Sequence, residues 1–106
     1  MLRLLLFFLL FSNMVPAQTT LPVYHDSLFS TYYHQQYSLF RSLPQTKNDI
    51  LFVGNSITDG NEWNELFDNS KMKNRGISGD ISAGVIHRID EIANRKPEKV
   101  FLMIGV

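Results

Sequence analysis

The hydrophobic and polar positions divide this chain into a lead-in and a series of elements that alternate strand with helix. Leu28, Phe29, Tyr32, Tyr33, Leu39 and Phe40 recur at helical intervals. They predict a helix capped by Asp26 or Ser27 and running to about Arg41, after an extended stretch that contains Pro22. Its aromatic side chains are read as packing of a peripheral helix. A loop marked by Pro44 follows. Asp49-Ile50-Leu51-Phe52-Val53-Gly54 is then a continuous run ended by glycine, the pattern of a strand buried on both faces. A polar turn spans Asn55 to Asn61, and a short helix is expected from Glu62 to Phe67. Met72 to Arg75 reads as a weaker strand closing on Gly76.

From Ser82 to Lys96 the helical signal is the strongest in the chain. Val85, Ile86, Ile89, Ile92 and Ala93 line one face, and His87, Arg88, Asp90, Glu91 and Asn94 lie off it, as a solvated face would. Pro97 ends that helix, and Lys99 to Gly105 reads as another buried strand. Apolar strands separated by helices predict an α/β fold, with a parallel sheet and helices on both of its faces. Two or three strands with these helices leave part of such a sheet uncovered. The pattern is therefore expected to be the front part of a larger domain, its edge after Gly105 open.

Residues 1–17 are set apart from the fold. Arg3 gives a positive start, Leu4 to Phe11 is unbroken and apolar, and Val15-Pro16-Ala17 offers small residues for cleavage. The apolar run is far shorter than the roughly 20 residues of a spanning helix. A cleaved signal peptide is expected, with export to the periplasm or cell exterior, no stable membrane anchor, and a mature chain starting near Gln18. Residues 18–48 then form the lead-in and first helix, and 49–106 a partial α/β domain. The charge balance of ten basic and ten acidic residues gives no electrostatic case for nucleic acid. With no cysteine there is neither a disulfide framework nor a thiolate metal site. His25, His34 and His87 lack HxH or HxxxH spacing, so no metal is expected, and no motif calls for a cofactor.

In open α/β sheets ligands bind at the carboxyl ends of strands, and each expected strand here ends in glycine: Gly54, Gly76 and Gly105. Ser56 follows the first on a tight strand-to-helix turn, where its hydroxyl can point into a cleft and its amide can face an oxyanion. Gly79 follows the second, where a backbone amide without Cβ can approach an oxyanion closely. The segment Gly54-Asn55-Ser56-Ile57-Thr58-Asp59-Gly60 is not a phosphate loop, since no Lys-Ser or Lys-Thr follows its second glycine. Nor is it a GxSxG elbow, because Thr58 occupies the last glycine position. Neither loop contains GxGxxG.

Gly54-Asn55-Ser56-Ile57-Thr58 resembles the GDSIT block of the SGNH (GDSL-type) hydrolases, and Asn74-Arg75-Gly76-Ile77-Ser78-Gly79-Asp80 resembles their NxGxxGD block. Phe101-Leu102-Met103-Ile104-Gly105 is similar to the strand leading into their GxND block. The resemblance covers roughly Asp49 to Val106. It implies a three-layer α/β/α fold around a parallel, flavodoxin-like sheet, with its first half present. It also implies an exported serine hydrolase acting on carboxylic esters of small molecules, glycans or lipids. Ser56 would be the nucleophile, and the amides of Ser56 and Gly79 two oxyanion donors. The family's third donor, the asparagine of GxND, would fall just past Val106, and its base, the histidine of a DxxH motif, further on. His87-Arg88-Ile89-Asp90 has the wrong order for that motif. Asn55 stands where the family usually has aspartate. A non-catalytic module of the same fold, binding a glycan or a partner, is the alternative.

Overall fold

The computed structural model describes residues 20–105. The expected signal peptide, 1–17, lies outside the described residues. Eight regular elements follow in order: α1 (Thr31–Ser42), β1 (Ile50–Gly54), α2 (Ser56–Asp59), α3 (Trp63–Leu66), β2 (Met72–Gly76), α4 (Ser82–His87), α5 (Ile89–Asn94) and β3 (Lys99–Met103). The strands form one parallel sheet in the order β2-β1-β3, with Gly54 opposite both Gly76 and Met103. This is the α/β fold expected, with the first three strands of a flavodoxin-like order. From β1 the chain passes to β2 on one side and returns to β3 on the other. The carboxyl end of β1 is therefore the topological switch point, where open sheets bind their ligands.

Side chains alternate across the sheet, and the alternation creates two different faces. Leu51 and Val53 point to one face and form a buried cluster with Val85 of α4 and Ile92 of α5. Phe52 points to the other, where its ring stacks on Trp63 of α3 at 4.1 Å and on Phe101 of β3 at 5.2 Å. Helices thus lie on both faces, giving three layers. No helix among the described residues is long and apolar enough to cross a membrane.

Three local expectations are corrected. The first helix begins at Thr31, not near Asp26. Ser30 is its cap, with Oγ accepting from the Tyr33 amide at 3.1 Å, whereas Asp26–Leu28 forms a separate 3-10 turn. Phe29 between them is extended (φ −112°, ψ 150°), so no helix can run through it. The expected helix over 82–96 is two helices, because Arg88 leaves helical dihedrals (φ −105°, ψ 17°). Ile89 is consequently exposed rather than in the core. Finally, β3 ends at Met103 and all five of its residues are exposed. An apolar run reads as a buried strand, but among the described residues β3 is paired on one side only, with β1, as the open edge expected after Gly105 would be.

The supposed solvated face of 82–96 is also corrected, since Arg88 and Glu91 are buried. Glu91 pairs with Arg75 of β2 (Oε1 to Nε 3.2 Å) and with Arg95. Arg95 in turn donates to the carbonyls of Phe40, Leu43 and Pro44, satisfying the open end of α1. The Arg75 guanidinium lies over the Phe40 ring at 4.8 Å. Tyr37 completes the attachment of α1 by donating from its hydroxyl to Asp90.

Burial, together with that hydrogen bond to Asp90, pushes the Tyr37 phenol up to about 12. The fold therefore favours the neutral phenol. Its contribution to stability is complete below about pH 10, the ordinary tyrosine value, and is lost as pH rises through about 12. Urea unfolding midpoints are expected to fall across that interval, and to fall less steeply in Tyr37→Phe.

Candidate active site

The two loops singled out by the sequence lie side by side, because the strands that carry them are neighbours ending in register at Gly54 and Gly76. Both glycines are steric requirements. A Cβ on Gly76 would stand 2.2 Å from the Asp59 nitrogen, and one on Gly54 would stand 2.3 Å from Thr58 Oγ1. Their absence lets the turn after β1 rest directly on the strand ends. Ser56 opens that turn, exposed, and its hydroxyl makes no hydrogen bond among the described residues. Gly79, in the loop between β2 and α4, has φ +83°, a conformation that strains any residue with a Cβ.

The backbone amides of Ser56 and Gly79 have no acceptor among the described residues; the same holds for Ile57 and Thr58 in the first turn of α2, whereas the amides flanking Gly79 are committed. Ile77 donates to the Gly54 carbonyl at 3.0 Å, Ser78 to Asp59 Oδ2 at 2.8 Å, and Asp80 to the Ile77 carbonyl at 3.0 Å. In the turn after β1, Asp59 donates to the Asn55 carbonyl and Gly60 to that of Ser56. Two free N–H groups thus stand in the loops that follow adjacent strands, one of them on the residue that carries the free hydroxyl. That arrangement can attack a carbonyl and hold the oxygen on which negative charge develops.

Asn74 holds the first loop in place. It lies opposite Phe52 on β2, on the face that carries α2 and α3. Its Nδ2 is 3.0 Å from the carbonyls of Thr58, Asp59 and Asn61, and its Oδ1 accepts from the Gly76 amide at 2.8 Å. Arg88 holds the second loop. Its guanidinium donates to Asp80 Oδ2 (2.9 Å from Nη2), to the Arg75 carbonyl (2.7 Å) and to the Gly54 carbonyl (3.4 Å). Asp80 is buried with it, and its Oδ1 accepts from the Ile81 amide. Burial pushes the Asp80 carboxyl above the ordinary range, although the Arg88 charge pulls the other way. Neither Asn74 nor Arg88 figured as more than a motif letter or a surface charge in the sequence.

Asn55 shows why an amide suits the position before Ser56. Its Oδ1 is sealed from solvent with no donor among the described residues. A carboxylate there would be a buried charge without a partner, a costlier arrangement.

The histidines gather elsewhere. His87 is half-buried against Phe29, its ring bridging the Tyr33 hydroxyl (Nδ1, 2.9 Å) and Asp26 Oδ1 (Nε2, 2.8 Å). The solvated-face reading of His87 is thereby corrected. His34 donates from Nε2 to the Asp26 carbonyl, and His25 Nδ1 accepts from the Ser27 amide. The hydrogen bond from His87 holds the exposed Asp26 carboxyl below the ordinary range. No histidine among the described residues is bonded to Ser56, and no group of three or more His, Asp or Glu gathers as metal ligands would. No protein-family model matches the chain, and no curated protein matches it.

Arg88→Ala would leave the Asp80 carboxylate buried without its counter-charge. The expected cost is about 3–5 kcal/mol, read as a lower urea midpoint.

Proposed function

We propose that this chain carries the nucleophile and two oxyanion donors of an exported SGNH-type serine hydrolase acting on carboxylic esters. The observation that carries the reading is that Ser56, exposed and with an unbonded hydroxyl, and Gly79 both keep uncommitted amides in the loops that follow neighbouring, in-register strands. Ser56 Oγ attacks the ester carbonyl, and a tetrahedral intermediate forms with its oxyanion facing the two amides. Collapse expels the alcohol and leaves an acyl group on Ser56. Water then attacks the acyl-enzyme and releases the acid, regenerating the hydroxyl.

A serine hydroxyl needs a general base at neutral pH. His25 is engaged with Ser27, and His34 and His87 with Asp26; the resemblance to the family assigns that role to the histidine of its DxxH motif. The same reading takes residues 1–17 as the export signal and small-molecule, glycan or lipid esters as the substrates.

The test is hydrolysis of p-nitrophenyl acetate by the product of the natural gene, alongside fluorophosphonate labelling read by intact mass. Wild-type protein is expected to turn over and to take one label on Ser56. Ser56→Ala is expected to lose several orders of magnitude in rate and all labelling. Turnover that survives Ser56→Ala contradicts the reading.

A further inference from the structure

Asp59 lies three residues after Ser56, at the end of α2, and one of its carboxylate oxygens is shared by two other segments. Oδ2 accepts from the Ser78 amide at 2.8 Å and from the Tyr32 hydroxyl of α1 at 2.7 Å. The Asp59 backbone is fixed as well. Its amide donates to the Asn55 carbonyl at 2.9 Å, its carbonyl accepts from Asn74 Nδ2, and its nitrogen packs on Gly76. The carboxylate therefore projects from a rigid base, and its grip on Ser78 is charge-assisted, the stronger kind of hydrogen bond.

Ser78 immediately precedes Gly79. Binding the Ser78 N–H to Asp59 removes that amide from the set able to meet an oxyanion, and it anchors one end of the peptide leading into Gly79. With Gly79 at φ +83°, the chain turns sharply there, and Asp80 is held on the other side by Arg88. The loop is thus clamped on both flanks of the one amide left free.

We propose that Asp59 is the positioning residue of the oxyanion site, setting the place of the Gly79 amide relative to Ser56 through Ser78, with Tyr32 fixing the carboxylate. The inference rests on the reading of Ser56 as nucleophile. It predicts a defect in the transition state rather than in substrate binding, because the amide at stake meets the oxygen only once charge develops on it. A shift of the order of an ångström in such a donor is enough for a loss of about 10- to 100-fold.

The experiment measures kcat and KM for p-nitrophenyl acetate, per site titrated with fluorophosphonate, in the natural gene product. Amide proton exchange at Ser78 is measured in parallel. Asp59→Ala is expected to lower kcat about 10- to 100-fold with KM nearly unchanged, and to accelerate exchange at Ser78. Asp59→Asn keeps an oxygen able to accept both hydrogen bonds and is expected to recover most of kcat. Tyr32→Phe, which leaves the Ser78 contact in place, is expected to cost only a few-fold and serves if Asp59→Ala does not fold. An active wild type with wild-type kcat and Ser78 exchange in Asp59→Ala overturns the role of Asp59 alone. A loss that appears in KM, or one that Asp59→Asn does not relieve, also overturns it. A wild type that neither turns over nor labels at Ser56 overturns the nucleophile reading, and this inference with it.

Discussion

The Arg88 guanidinium, buried across the carboxyl ends of β1 and β2, is the constraint on which the rest of the site depends. A charge taken out of water is tolerated only if it is paired and its donors are satisfied. Here the pairing is with Asp80, and the remaining donors meet the carbonyls of Arg75 and Gly54. One side chain thereby ties together two strand ends and the loop between β2 and α4. The requirement also explains the interruption between α4 and α5, which falls at the residue whose side chain is committed to those fixed acceptors.

The sheet gives the site its division of labour. Val53 and Arg75 lie on the face covered by α4 and α5, so their neighbours are the buried cluster and the Arg75–Glu91–Arg95 ion pairs. Phe52 and Asn74 lie on the other face, so Asn74 meets the backbone of the turn after β1. The Ser56 turn is gripped from one face and the Gly79 loop from the other. Glycines at both strand ends let the two approach without a Cβ between them. Asp59 crosses from the first loop to the second, and Tyr32 connects that crossing to α1.

The strands were legible because apolar runs ending in glycine have few other meanings. Ser56 and Gly79 stood out as candidates because they lie two and three residues after those glycines. What escaped the pattern has a common cause. Arg88 and Glu91 sit off the apolar stripe, and a one-dimensional reading assigns such charges to water. Only the topology brings Asp80, Arg75 and the Gly54 carbonyl to meet them. The grips of Asn74 and Asp59 are side-chain bonds to backbone groups 13 to 19 residues away, which leave no periodic trace. Ser30 was a readable cap, three residues before the amide that it accepts, but the nearer apolar pair Leu28 and Phe29 drew the expected helix start too early. In β3, composition suggested burial, whereas among the described residues the strand pairs with β1 on one side and all five of its residues are exposed.

The central claim is that the amides of Ser56 and Gly79 together form an oxyanion site for chemistry on Ser56. Its most direct test is a crystal structure of the natural gene product after reaction with a phosphonate ester. The account predicts a covalent bond from Ser56 Oγ to phosphorus, with the phosphonyl oxygen about 3 Å from both amide nitrogens. A phosphonyl oxygen turned away from Gly79, or an adduct on any other residue, would contradict it.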